Sequence, residues 1–226
     1  MLQGAALHNK RTSKSNSTHQ PPLITPWKPT KQQLIAAEGK TVRDVIAPRL
    51  RVLFCGINPG LYTAAVGHHF ARPGNRFWPA LFAAGFTDHL VSPFAERELL
   101  ENGYGITNVV MRATATADQL TREELRAGGK QLAGKVRRYK PAFLAVLGLG
   151  AYRAAWERAK ATIGRQEETI GETVVWVLPN PSGLNAHYQA KELARLFVEL
   201  KVAVDRLDSE DGYTLKELTE CKNATT

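Results

Sequence analysis

Short apolar runs alternate with segments of helical periodicity along this chain, and that alternation is the strongest constraint on its fold. Runs apolar enough for buried strands cover residues 51–57, 105–110, 142–147 and 173–178. Helical patterns cover residues 75–86, 121–139, 148–160 and 187–206. A hairpin is predicted between 166–170 and 173–178. The sequence therefore predicts an α/β fold, a three-layer αβα sandwich with a mostly parallel central sheet.

The two ends of the chain differ from this middle part. Residues 1–31 are rich in Ser, Thr, Asn, Gln and Pro and carry several basic side chains, which predicts a flexible basic arm. Such an arm either contacts DNA or has no role of its own. Residues 208–226 turn acidic and then polar, which predicts a polar tail. One domain is expected between them, over residues 32–207.

Charge and composition narrow the class of partner. The chain carries 30 Lys and Arg against 21 Asp and Glu, a net charge of +9 that favours a polyanion such as nucleic acid, although a basic chain can simply be soluble. Cys55 and Cys221 form neither a disulfide framework nor a paired-cysteine metal motif. No run approaches the roughly 18 apolar residues of a membrane span. We expect a soluble, monomeric, cytoplasmic protein, nucleoid-associated in a bacterium.

Two loops of similar design follow predicted strands. The first contains Asn58-Pro59-Gly60, and the second contains Asn180-Pro181-Ser182-Gly183. In each, a polar side chain ends a strand, proline fixes the backbone, and glycine allows close approach. Asn-Pro-Gly alone is simply a turn. Ligands of open α/β sheets bind at the carboxyl ends of the strands, so the two loops are expected to face one cleft.

These motifs resemble those of the mismatch-specific uracil and thymine DNA glycosylases, within the wider uracil-DNA glycosylase superfamily. The resemblance covers residues 41–204 and is carried by GINPGL at 56–61, NRFW at 75–78 and NPSGL at 180–184. It implies a three-layer fold, no cofactor or metal, and hydrolysis of the N-glycosidic bond of uracil flipped out of double-stranded DNA, especially from G:U mismatches. Other damaged pyrimidines are a possible extension of the substrate range.

The resemblance also implies a role for each motif residue. Asn58 is the catalytic residue, Phe70 stacks on the flipped base, and Gly183 with Leu184 forms a wedge inserted into the duplex. An enzyme acting on a base must extrude it, and an apolar wedge fills the gap. Further expected contacts to the base come from Ile57, Tyr62, Thr63 and Asn180. Expected contacts to DNA come from Ser182, Asn185, Arg72 and Arg76.

We expect catalysis at this site to depend on positioning of the attacking water. Efficient members of the superfamily pair Asp with His at these loops, whereas this chain has Asn58 and Asn180. An amide can accept a hydrogen bond from the attacking water but cannot take its proton. We therefore expect a slow enzyme. Asp88 is a second-line catalytic candidate, although a turn role suits it, and the loop histidines His68 and His69 could be solvated or contact the base.

Two other readings remain open from the sequence. An α/β enzyme acting on free nucleosides or sugar phosphates would use the same sheet edge but would need neither Leu184 nor the net charge. A catalytically silent binder of damaged DNA is compatible with asparagine at both usual acid-base positions.

Overall fold

The computed structural model describes residues 28–183, 185 and 187–223, with side chains described as far as residue 207. Within these residues one sheet contains the strands β1 (Val52–Gly56), β2 (Tyr104–Asn108), β3 (Phe143–Leu147), β4 (Gly164–Ile170) and β5 (Thr173–Leu178). Their order is β2-β1-β3-β5-β4. All neighbours are parallel except β4 and β5, which form the predicted hairpin. The mostly parallel sheet predicted from the apolar runs is confirmed.

Helices precede, connect and follow the strands. They are α1 (Lys31–Ile35), α2 (Leu61–Val66), α3 (Phe77–Ala83), α4 (Arg122–Tyr139), α5 (Leu149–Trp156) and α6 (Ala190–Asn223). The predicted start of α4 is confirmed, because Thr121 Oγ1 accepts from Glu124 N at 3.1 Å and the Glu124 carboxylate accepts from Thr121 N at 2.9 Å. The sequence did not indicate α1 or α2. The predicted end of α6 at residue 206 is wrong, since its backbone continues to Asn223.

The sheet is covered on both faces, as the predicted three-layer arrangement requires. Helices α3 and α6 pack on one face, where Phe54 of β1 contacts the rings of Phe77 and Phe197. Helices α4 and α5 pack on the other face, where Leu132 and Tyr152 are buried against the strands. No helix in the described part of the chain is both long and apolar enough to cross a membrane.

The glycine pair inside α4 has a packing role. A Cβ atom on Gly128 would lie 2.4 Å from the carbonyl oxygen of Val109, and one on Gly129 would lie 2.8 Å from that of Ala155. Both distances are far below van der Waals contact. Glycine lowers helix propensity by about 1 kcal/mol, but here it lets α4 approach α5 and the residue that follows β2. The end of β2 is thereby held in place, and this end forms part of the site.

Candidate functional site

A cavity of about 210 Å³ lies at the edge of the sheet where the parallel strands end. It is lined by the last residues of β1, β2 and β3, which are Gly56, Asn108 and Leu147, and by Asn180 beyond β5. The two Asn-Pro loops therefore face one cleft, as predicted. The predicted site residues that line it are Ile57, Asn58, Thr63, Phe70, Arg72, Asn180 and Ser182. A larger cavity, of about 760 Å³, lies at the opposite edge of the sheet and is lined by none of them.

The orientation of the Asn58 amide follows from its partners. Asn58 Nδ2 donates to the carbonyl oxygen of Arg112 at 3.1 Å and to Thr114 Oγ1 at 2.7 Å. The Arg112 carbonyl can only accept, and Thr114 Oγ1 donates its own proton to the carbonyl oxygen of Thr116. Both partners accept a hydrogen bond, so the amide nitrogen of Asn58 must face them. The carbonyl oxygen Oδ1 of Asn58 is the group left to act as an acceptor in the cleft.

The segment that holds Asn58 was not indicated by the sequence. Residues 112–117 follow β2 and run beside the first loop, where Thr114 N donates to the carbonyl oxygen of Pro59 at 3.2 Å. The segment is itself fixed, because the Arg112 guanidinium forms an ion pair with Glu124 in α4. This pairing lowers the pKa of the Glu124 carboxyl to about 2. Asn58 is therefore positioned through a chain of contacts that reaches α4.

Phe70 forms an aromatic wall of the cavity. Its ring stacks on that of Phe77 with centroids 4.1 Å apart and an interplanar angle of 29°. Its backbone has φ = 53°, a left-handed conformation that costs a non-glycine residue about 1 kcal/mol or more. The ring is half-buried and lines the cavity, so one side of it can meet a ligand. Stacking on this wall is compatible with the role that the resemblance implies.

Asn108 also lines the cavity, although the sequence did not indicate it as a site residue. It ends β2, is 4% exposed, and its Nδ2 lies 3.5 Å from His69 Nδ1. A Cβ atom on Gly56 would lie 2.5 Å from Asn108 Oδ1 and 3.3 Å from the Phe70 ring. Glycine at position 56 therefore makes room for the Asn108 carbonyl and for the aromatic wall. The available signal was a polar side chain, Asn108, within the largely apolar run 105–110.

His69 is buried behind this wall and not solvated. Its Nε2 lies 3.0 Å from the carbonyl oxygen of Arg43, and its backbone N donates to Glu96 Oε2 at 2.7 Å. Burial lowers the pKa of the His69 imidazole below its usual range, although the Glu96 carboxylate acts in the opposite direction. His68 points the other way, with Nδ1 3.1 Å from Glu96 Oε1, and does not line the cavity.

The second loop is held by hydrogen bonds of its own. Asn180 Oδ1 accepts from Ser182 N at 3.0 Å, and the Asn180 carbonyl oxygen accepts from Asn185 Nδ2 at 2.9 Å. A Cβ atom on Gly183 would lie 2.5 Å from the carbonyl oxygen of Gly74, so glycine lets the second loop approach the segment between α2 and α3. Leu184, the predicted wedge, lies outside the described residues.

Comparison with known protein families identifies the family to which this chain belongs. The family model of the uracil DNA glycosylase superfamily matches residues 43–201. The chain belongs to this superfamily. Membership implies uracil DNA glycosylase-type activity, a hydrolytic reaction on DNA, and is consistent with the α/β fold. The matched range covers the sheet, both loops and residues 112–117.

Within this uracil DNA glycosylase fold, two arginines expected at the DNA differ in surroundings. Arg72 is exposed and lines the cavity. Arg76 is half-buried, and its guanidinium donates to the carbonyl oxygens of Tyr188 at 2.5 Å, Ser182 at 2.5 Å and Asn185 at 2.8 Å. The structure thus gives Arg76 a role in shaping the second loop, which the sequence did not indicate.

Some of the remaining expected site residues line the cavity and others do not. Thr63 of α2 is buried and lines the cavity, whereas its neighbour Tyr62 is half-buried and does not. Asp88 is exposed and also does not line it. The ring of Phe86, just before Asp88, packs 5.1 Å from that of Tyr104 at the start of β2, the end remote from the cleft. The structure does not bring Asp88 to the other site residues.

Proposed function

We propose that this protein removes uracil from double-stranded DNA, with preference for G:U mismatches, and that Asn58 positions the water that attacks the sugar. The observation that carries this proposal is the fixed Asn58 amide. With Nδ2 engaged by Arg112 and Thr114, Oδ1 is an acceptor that needs no reorganisation when a water binds. Preorganised groups of this kind stabilise a transition state because their orientation is settled before the reaction.

The composition of the cleft supports a mechanism without a strong base. Among the described residues that line the cavity, none carries a carboxylate. Cleavage of the N-glycosidic bond leaves an electron-poor sugar and a uracil that bears negative charge. An amide oxygen can hold the water against that sugar but cannot remove its proton. The rate then depends on positioning and on stabilisation of the leaving base, which is why a slow enzyme is expected.

The size and walls of the cavity suit one flipped base. Its volume of about 210 Å³ is below the roughly 300–1,000 Å³ of sites that enclose drug-sized ligands. Phe70 offers a stacking face, and Asn108 and Asn180 offer amide groups for the polar edge of the base. Ile57 and Thr63 complete the wall. A pyrimidine that leaves the duplex can therefore be both stacked and read by hydrogen bonds.

The surface around the cavity supports binding to duplex DNA, and we propose that the protein acts there as a monomer. Arg72 and Ser182 line the cavity, and Gly183 and Asn185 follow Ser182 in the second loop. We propose that these residues contact phosphate oxygens. The net charge of +9 favours this polyanion. Leu184, between Gly183 and Asn185 in the sequence, is proposed as the wedge that replaces the extruded base.

One assay separates this proposal from the two alternatives. The protein is incubated with a labelled duplex that contains a single uracil opposite guanine, and alkali then breaks any abasic site. We expect a cleaved strand, less product when uracil is opposite adenine, and none from an undamaged duplex. Binding without cleavage would favour a silent binder of damaged DNA. Release of uracil from free deoxyuridine but not from the duplex would favour a nucleoside enzyme and contradict the proposal.

A further inference from the structure

The cavity of about 760 Å³ lies at the edge of the sheet opposite the cleft, where β1, β3 and β5 begin. Its floor is apolar and buried, with Leu50, Val136 and Val204 each 3% exposed or less. Glu172 is the one carboxylate among the described residues that line it. The cationic side chains that line it are those of Arg49, Arg51, Arg137 and Lys140. We call this cavity the basic groove.

Three of the four cations in the basic groove are exposed and form no ion pair with any residue whose side chain the structure describes. They are Arg49, Arg137 and Lys140. The fourth cation, Arg51, is engaged, because its guanidinium donates to the Tyr104 hydroxyl at 2.8 Å and to Asp205 Oδ1 at 3.0 Å. Unpaired cations that converge on one concave surface raise the local positive potential and attract an anion.

Backbone hydrogen bonds hold the two segments that carry these cations side by side. Arg49 N donates to the carbonyl oxygen of Tyr139 at 2.7 Å, and Ala142 N donates to that of Leu50 at 2.8 Å. The backbone positions of the cations are therefore fixed before a ligand binds. The two cations at the end of α4 also offset the partial negative charge of the helix C-terminus. That role does not account for Arg49, which lies in the segment before β1.

The chemistry of the basic groove favours the phosphates of a nucleic acid over other anions. Because its apolar residues are buried, a ligand would be held mainly by the exposed charged groups and not by an apolar anchor. Nucleic acids present phosphates at regular intervals, and an arginine guanidinium can bind one phosphate through two parallel hydrogen bonds. DNA is also the polymer on which the uracil DNA glycosylase superfamily acts.

Strands β1 and β3 separate the basic groove from the cleft. Each has five residues, a length of roughly 16 Å, and helices pack on both faces of the sheet. One straight duplex at the cleft therefore does not reach the groove. We propose that the basic groove is a second DNA-binding surface, which holds a separate duplex segment by its phosphates while the cleft is occupied by the first. Phosphate contacts carry no sequence information, so any duplex should bind there.

Two triple variants with the same change in net charge test this surface. The groove variant, Arg49→Gln/Arg137→Gln/Lys140→Gln, removes the three unpaired charges. The control variant, Arg97→Gln/Lys160→Gln/Arg165→Gln, removes three charges at exposed positions that line neither the groove nor the cleft. Both variants keep residues 1–31, so the basic N-terminal segment contributes equally. Because all six positions are exposed, both variants should keep the Tm of the parent.

The assay measures whether one protein holds two duplexes. Each protein is bound to a duplex on beads, washed, and mixed with a second, labelled duplex that lacks uracil. We expect the parent and the control variant to retain the labelled duplex, and the groove variant to retain at least about tenfold less. The slope of log affinity for the labelled duplex against log salt should be shallower in the groove variant, by about 0.9 for each cation removed. Equal retention by the parent and the groove variant would overturn the proposal, as would an equal loss in the control variant.

A gain of binding and a second probe complete the test. Glu172→Gln removes the carboxylate that lines the groove and should strengthen retention of the labelled duplex. A parent protein that retains no second duplex but binds labelled polyglutamate, with this binding lost in the groove variant, would overturn the proposal in favour of an acidic protein partner. Uracil excision from a short duplex should be equal in the parent and the groove variant. Failure of the proposed function would appear separately, as a parent that releases no uracil but still retains the second duplex.

Discussion

Replacement of Arg76 by methionine tests whether this side chain shapes the second loop or contacts DNA. Methionine keeps most of the apolar stem but removes the guanidinium. The three carbonyl oxygens that accept from it, those of Tyr188, Ser182 and Asn185, then lose a charged donor. Arg72→Met is the matched control, because Arg72 lies at the same rim and is exposed.

The size of the effect follows from the contacts. A hydrogen bond to a charged group contributes about 1.5–3 kcal/mol, and contributions that share one group are not additive. Arg76 is half-buried, so part of the loss is regained by solvent. We expect Arg76→Met to lower the free energy of unfolding by about 3 kcal/mol, which corresponds to a drop in Tm of roughly 6–12 °C for a chain of this length. Arg72→Met should leave Tm nearly unchanged.

Thermal melting and DNA binding at several salt concentrations distinguish the two arginines. If Arg72 neutralises one phosphate, Arg72→Met should reduce the slope of log affinity against log salt by about 0.9. Arg76→Met should keep this slope but lose uracil excision from duplex DNA, because the loop is no longer held. An Arg76→Met protein that has the Tm of the parent and loses one phosphate contact would refute the structural role of Arg76.

Three further predictions concern the elements around the cleft. Gly128→Ala should destabilise the protein by about 1–3 kcal/mol in chemical denaturation, because its Cβ meets Val109, whereas Gly134→Ala in the same helix has open space and should stabilise it slightly. Glu124→Gln breaks the ion pair that fixes Arg112 and should slow single-turnover excision up to about tenfold, with Glu123→Gln as the control. Burial lowers the pKa of His69 below the ordinary 6.5. The His69 imidazole therefore binds a proton more tightly in the unfolded chain than in the folded protein. The free energy of unfolding should therefore fall as the pH drops below about 6.5, and it should fall less in the His69→Asn variant.

The sheet and its two loops were predictable because their signals are local. Continuous apolar runs identified the strands, and a parallel sheet brings the carboxyl ends of its strands to one edge. Asn58 and Asn180 each lie two residues beyond the end of one of those strands. Their meeting in one cleft therefore needed only the fold class and the positions of the prolines and glycines.

The residues that support the site were not predictable, because their roles depend on contacts distant in sequence. Arg76 looks like a phosphate ligand until its three carbonyl partners are seen more than 100 positions away. Asn108 looks like one more residue of a buried strand. Gly128 looks like a defect in a helix because the neighbour that requires it belongs to another element. Periodicity reports which face is buried but not which polar atoms meet there.

The role of Asn58 is tested most directly by the single-turnover rate of uracil excision from a duplex with uracil opposite guanine. For Asn58→Ala we expect a loss of about 10²- to 10³-fold, the effect of removing one preorganised group at a transition state. Binding to the same duplex should survive, since the amide acts on the attacking water and not on the ground state. Asn102→Ala, at an exposed asparagine outside the cavity, should keep the parent rate. An Asn58→Ala protein that excises uracil as fast as the parent would contradict the account, because the water would then be held elsewhere.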